Sequence, residues 1–212
     1  MHIPDGFLDT KTWLSAYAIS GGSLLYSVKK VKETLNERMV PKMGVMAAFI
    51  FAAQMVNFPV AGGTSGHLIG AALAAITLGP WAATLIMSAV LIVQCFFFLD
   101  GGVTALGANI LLMGIVAPWV AYGLYRIIAG GAPTKTRFLI ASFVASWAST
   151  FVASLVCTVL LALSGTIPMQ VGLPAMAGWH ALIGIGEGII TTVVLGYLTQ
   201  VKAEIVSQTE SV

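Results

Sequence analysis

Three nitrogens sit within the first two residues of this chain: the α-amino group of Met1, the backbone amide of His2 and the His2 ring. A divalent ion held by all three would close a five-membered chelate ring and then a six-membered one. The amide joins such a set only after losing its proton. Ni²⁺ and Cu²⁺ drive that loss in a square-planar or tetragonal field, whereas Zn²⁺, Ca²⁺ and Mg²⁺ prefer other geometries or oxygen ligands. Pro4 has no N–H, so the chelate cannot run on along the backbone, and Pro4-Asp5-Gly6 reads as a turn. An initiator methionine, a chance histidine and a turn account for the same residues more plainly. The rest of the chain has to decide.

The other histidines are His67 and His180. His67 follows Gly62-Gly63-Thr64-Ser65-Gly66, where glycines open backbone conformations closed to other residues, including close approach to a ligand. A flexible outer turn is the simpler reading. The apolar run 67–79 covers only about 20 Å as a helix, against roughly 30 Å of hydrocarbon. Its outer end is therefore expected below the membrane surface, with His67 at the floor of a pit into which the N-terminal tail folds. Asn109, early in the next apolar run but one, must find hydrogen-bond partners there. His180 and Glu187 are two helical turns apart on one face. Glu187 stands well inside an apolar run, where a carboxylate is functional by default, although an interhelical hydrogen bond would also explain it. His180 reads as an interfacial residue beside Trp179; Asp100 could attract metal near an outer cation site, but reads more simply as a helix-end acid in water.

Positioning such groups falls to membrane helices. The chain has 212 residues, 58% hydrophobic and 8% charged, with mean hydropathy +0.95. That composition implies a single polytopic membrane domain over 1–212. Apolar runs fall at 13–28, 43–60, 67–79, 81–99, 105–125, 138–163 and 177–199. Seven crossings with the N-terminus outside and the C-terminus inside place every lysine and arginine but Lys11 inside, as the positive-inside rule requires. The fold expected is all-α with seven transmembrane helices, and all three histidines then lie at the outer face. The polar tract 29–42 is the main inner loop. Cys95 and Cys157, inside apolar runs, read as buried small hydrophobes. No positive leader segment opens the chain, so no cleavable signal peptide is expected. Small residues four apart, such as Gly184 with Gly188, allow helices to approach closely.

Four segments together resemble the CbiM/NikM family: Met1-His2-Ile3-Pro4-Asp5-Gly6-Phe7-Leu8, Gly62-Gly63-Thr64-Ser65-Gly66-His67-Leu68, Leu106-Gly107-Ala108-Asn109 and His180-Ala181-Leu182-Ile183-Gly184-Ile185-Gly186-Glu187. The resemblance covers essentially the whole chain. It implies the substrate-capture (S) component of an energy-coupling-factor transporter for nickel or cobalt, in a prokaryotic cell membrane. It also implies seven helices and a metal held by Met1, His2 and His67; Ser65, Asn109, His180 and Glu187 are, from their own positions in the chain, candidates for a supporting or gating role. The Ile3-Pro4-Asp5-Gly6 wording looks more like the nickel branch, making Ni²⁺ the favoured cargo and Co²⁺ the next. Some nickel-branch proteins carry a further C-terminal module, so a separate small membrane subunit is expected here.

No GxxxxGK[ST] phosphate loop occurs in the sequence. ATP-driven uptake would therefore need a membrane coupling (T) subunit and two cytoplasmic ATPases, as the resemblance implies. Nucleic acid is not an expected partner, since the basic residues are accounted for by topology. A different class of function is a self-sufficient secondary transporter or channel for divalent cations with Glu187 as proton relay. An intramembrane metalloenzyme is disfavoured: there is no HExxH, and a filled four-nitrogen set leaves no position for activated water.

Overall fold

The computed structural model describes residues 1–34, 37–60, 64–131 and 133–210, the side chains of 57–60, 64, 65 and 202–210 excepted. Within them the chain forms α1 (Thr10–Thr34), α2 (Met39–Gln54), β1 (Asn57–Val60), β2 (Thr64–His67), α3 (Ala71–Leu78) and α4 (Pro80–Phe98). Then follow α5 (Leu106–Ala129), α6 (Lys135–Leu163) and α7 (Met169–Glu210). This is an all-α polytopic membrane architecture of seven helices carrying one small hairpin. Four helices, Pro80–Phe98, Leu106–Ala129, Lys135–Leu163 and Met169–Val201, are long and apolar enough to cross a membrane.

Local chemistry sets the boundaries. Asp9 opens α1 by accepting the Thr12 N–H at 3.1 Å, the carboxylate satisfying a donor that the helix itself cannot. Gly79, at φ +84°, turns the chain sharply and Pro80 starts α4 with φ already fixed. α5 is α-helical over Leu106–Asn109, π-helical over Ile110–Val116 and α-helical again from Ala117. Such a π-helical stretch often marks a functional position, and this one begins immediately after Asn109.

α3 lies at the centre, packed among α4, α5, α6 and α7, and its residues Ala71 to Ala75 are all buried. The longest packing seam joins α6 to α7. There Gly184 and Gly188 meet Trp147 and Phe143 so closely that an added Cβ would come within 2.9 Å and 2.8 Å of the rings. That glycine pair serves packing within the chain. Down the buried face of α6, Ser142, Ser149, Ser154 and Thr158 donate to carbonyls three or four residues back. Their hydroxyls are thus satisfied inside the helix.

Three expectations change. The charged tract 29–42 is not one loop: α1 continues to Thr34, because lysine and glutamate are good helix formers and Lys30 pairs with Glu33 at 2.9 Å. The segment after Gln54 is not the end of a helix but a hairpin with Asn57 opposite His67, since Pro59 lacks the N–H that a helix interior needs. His67 therefore closes β2 rather than opening a helix, and α3 starts only at Ala71. α7 begins at Met169, not 177, and carries Pro174 inside it. Gly62 and Gly63 lie outside the described residues.

Candidate metal centre

The N-terminal tail is folded into the protein. Met1, His2 and Ile3 are exposed by 1%, 4% and 0%. Three groups hold Ile3: its N–H donates to Asn109 Oδ1 at 2.8 Å, and its carbonyl accepts from Asn109 Nδ2 at 3.1 Å and from the Gly102 N–H at 2.9 Å. Asp5 grips the loop after α4 from outside, accepting the Val103 N–H at 3.1 Å, the Thr104 N–H at 2.7 Å and the Thr104 hydroxyl at 2.5 Å. These bonds hold the Asp5 carboxyl below its ordinary range, the Thr104 hydroxyl contributing most. Only glycine fits at position 102, because a Cβ there would sit 2.2 Å from the Asp5 nitrogen. Further along the tail, the Thr166 hydroxyl donates to the Phe7 carbonyl.

At the bottom of this fold the Met1 nitrogen lies 2.7 Å from His67 Nε2, with both groups buried. Two nitrogens each about 2.0 Å from one ion, and at right angles, would lie roughly 2.8 Å apart. The His67 Nδ1–H donates to the Leu68 carbonyl at 2.7 Å, leaving Nε2 as the basic nitrogen aimed at Met1. The His2 ring stacks on that of His67, centroids 4.5 Å apart and planes 25° from parallel. Burial, and then the nearby Met1 amine, lower the His2 pKa to about 3, so the ring carries one proton at neutral pH. With that proton on Nε2, directed at Gln94 Oε1 at 3.1 Å, Nδ1 holds the lone pair a chelate requires. Asp100 Oδ1 lies 3.3 Å from Nδ1, a carboxylate placed to favour a cation beside it. Burial brings the Met1 amine down from 8.0 to about 5, so that it too is neutral at physiological pH. Among the described residues no three His, Cys, Asp or Glu side chains cluster as a metal site. An ion bound here would have to draw on the backbone.

Residues 2–205 match the family CbiM, described as the cobalt uptake substrate-specific transmembrane region. The chain belongs to the CbiM family. A putative fused nickel transport protein NikMN of Archaeoglobus fulgidus is 40% identical over 210 residues, 98% of this chain and 68% of that one. A crystal structure of a transition metal transporter superimposes with TM-score 0.91 at 34% identity, covering 100% of this chain and 98% of that one. The S component of a bacterial ECF transporter shares the fold at 18% identity and TM-score 0.55. As a CbiM protein the chain is a multi-pass component of transition-metal uptake in a prokaryotic transporter family, a transport protein and not an enzyme.

In this CbiM chain Met1, His2 and His67 converge, with Asn109 gripping the residue after His2. Glu187 is not beside the nitrogens but behind His67, bonded to the backbone of Ile69 and Gly70. His180 is buried to 1% rather than interfacial, its ring bonded to the Met176 carbonyl at 2.9 Å, while neighbouring Trp179 remains 47% exposed. The Ser65 side chain lies outside the described residues. Cys95 and Cys157 are buried free thiols. Three residues escaped notice in the sequence. Gln94 was legible as a buried amide in an apolar run, the same signal that marks Asn109. Asp5 and Gly102 gave none, since a turn acid and a loop glycine look alike whether or not they hold a tail.

Proposed function

We propose that this chain captures Ni²⁺, with Co²⁺ next in preference, as the S component of an ECF-type transporter, the whole chain acting as one membrane domain. The ligands are the Met1 amine, the His2 amide and Nδ1, and His67 Nε2. The observation that carries this reading is the 2.7 Å approach of the Met1 nitrogen to His67 Nε2 inside a buried pit. A planar four-nitrogen set suits Ni²⁺ over Zn²⁺, though Cu²⁺ would bind at least as tightly, so cellular metal supply contributes to selectivity. The naming of the archaeal relative supports nickel as cargo. In this reading seven helices cross, the N-terminus faces outside, and metal arrives from there as the tail closes on it. ATP hydrolysis is supplied by two cytoplasmic ATPases through a membrane coupling subunit, with a small accessory membrane subunit completing the complex.

The test is to extend the N-terminus by one residue, which moves the free amine off the chelate. Nickel binding by purified protein and nickel uptake by cells carrying the full transporter should both be lost. Unchanged binding would overturn the site. The alternative, a stand-alone transporter relaying protons through Glu187, has weaker support: the groups on that carboxylate are two backbone amides and a threonine hydroxyl, none of which titrates. Nickel uptake by this chain alone in liposomes under a proton gradient would revive it.

A further inference from the structure

Directly behind His67 is a second, wholly buried arrangement that the nitrogen set does not use. Glu187, 0% exposed on α7, accepts the Ile69 N–H at 2.9 Å and the Gly70 N–H at 2.8 Å, one on each carboxylate oxygen. The Thr150 hydroxyl of α6 donates to the oxygen that Ile69 uses, at 2.8 Å. From the opposite side Gln54 Nε2 of α2 donates to the Ile69 carbonyl at 2.6 Å. Ile69 is thus held by both its main-chain polar groups, from two helices that do not adjoin it in sequence. The next residue, Gly70, has φ +76°, and a Cβ on it would come 2.9 Å from Ile50. Extended chain passes into α3 there with no room to shift sideways.

From this clamp we infer that Glu187 is the positioning residue that fixes His67 in the plane of the chelate, and thereby favours planar-coordinating ions over tetrahedral ones. The inference rests on the nitrogen set of the preceding section. The tail supplies three donors whose relative positions are set by their own chelate rings, so the place of the fourth donor decides the geometry. A His67 free to swing out of plane would deprive a planar-coordinating ion of its fourth donor, whereas Zn²⁺, which has no d-electron preference for the plane, would lose less. A His67 whose backbone is pinned two and three residues on cannot swing out. Supporting groups of this kind change metal affinity by about 10–100-fold when removed. A carboxylate is required because both backbone N–H groups need an acceptor. Glutamine offers one oxygen and one NH₂, so one amide would then face a donor.

The experiment compares Ni²⁺ and Zn²⁺ competition for purified wild-type protein and Glu187→Gln, together with the visible absorption band of the Ni²⁺ complex. Expected is a fall of about tenfold or more in the nickel-to-zinc affinity ratio, with a shift of the planar Ni²⁺ band. An unchanged ratio and band would overturn the inference. So would equal weakening of both metals, which is what general loosening of the fold produces. Should Glu187→Gln not be recoverable from membranes, Gln54→Leu loosens the same residue from its carbonyl side and is judged on the same ratio. A wild-type protein whose nickel binding survives N-terminal extension would instead sink the proposed site. A wild type that needs its free amine, beside a variant with an unaltered ratio, would sink only the role of Glu187.

Discussion

The two halves of the pit are held in opposite ways. His67 and the residues after it are gripped by Glu187, Thr150 and Gln54, each 0% exposed and each on a different helix. The tail is gripped by a loop and one helix end: Asn109 is buried, but Asp5 and Thr104 are exposed. An exposed hydrogen bond exchanges with water and nets about 0.5–1.5 kcal/mol, whereas stranding a buried donor costs about 1–3 kcal/mol. One jaw is therefore fixed by the membrane-embedded core, and the other is held at a surface where water competes. In the proposed reading, opening the pit for exchange of an ion would move the tail, with His67 as the stationary part. This division can be attacked from the tail side with graded changes.

The largest effect is expected from Gly102→Ala. Its new methyl would lie 2.2 Å from the Asp5 nitrogen and 2.7 Å from the Pro4 carbonyl carbon, backbone atoms that cannot turn aside. The tail must leave the pit, and Ni²⁺ binding should weaken by about a hundredfold or more. Helical circular dichroism and melting temperature should change little, because the loop lies outside the helix core. Binding retained in a protein that melts normally would show that the docked tail is not what holds the ion. Next comes Asn109→Leu. It leaves the Ile3 carbonyl its bond from Gly102 but strands the buried Ile3 N–H, a loss of about 1–3 kcal/mol, or about 5- to 150-fold in affinity. Titration calorimetry with Ni²⁺ would measure it, and unaltered affinity would remove Asn109 from the grip.

The sequence displayed one jaw far better than the other. Met1, His2 and His67 could be picked out because each carries a metal-binding nitrogen, and Glu187 and Asn109 because polarity in an apolar run demands a partner. Where those partners would be found was not legible. Glu187 shares a helix face with His180, yet its contacts lie on the backbone of Ile69 and Gly70, more than a hundred residues earlier. Backbone amides are present at every position, so no residue type announces them. The hairpin was hidden for a related reason. Four residues such as Asn57-Phe58-Pro59-Val60 are too few to show a period, and the apolar run before them read on as helix. The helices themselves, apart from their ends, follow directly from hydropathy.

A pH titration sharpens the contrast at about one decade per pH unit. A free α-amine titrates near 8, but in the docked tail burial lowers it to about 5. The docked form thus binds fewer protons than an undocked one. The amine's contribution to docking is fully present above pH 8 and diminishes as pH falls toward about 5, while the bonds to Ile3 and Asp5 hold the tail in place. In the docked tail the amine is already neutral above about 5, so capture then releases only the His2 amide proton. Log Kd for Ni²⁺ should rise by about one per pH unit from pH 8 down to 6, and by about two below pH 5 as the amine also takes a proton. A slope of two across the whole range would mean that the amine ionises as in a loose peptide and that the tail is not seated before the metal arrives.

The smallest change is expected from Asp5→Asn. One oxygen is kept and one becomes a donor, so one of the Val103 and Thr104 N–H groups loses its acceptor while the other bonds survive. Both residues are exposed, and water can take the vacated place at little cost. The expected result is metal dissociation faster by only about two- to threefold, with the shape of the Ni²⁺ spectrum unaltered because no donor nitrogen has moved. The native carboxyl, held below its ordinary range mainly by the Thr104 hydroxyl, contributes to docking above that range and loses the contribution as it protonates in acid. The variant should lack this acid-side component and keep the one that comes from the amine. If instead Asp5→Asn matched Asn109→Leu in size, the outer rim would be as dry as the floor. Both jaws would then be fixed, and exchange of the ion would have to proceed through movement of the helices.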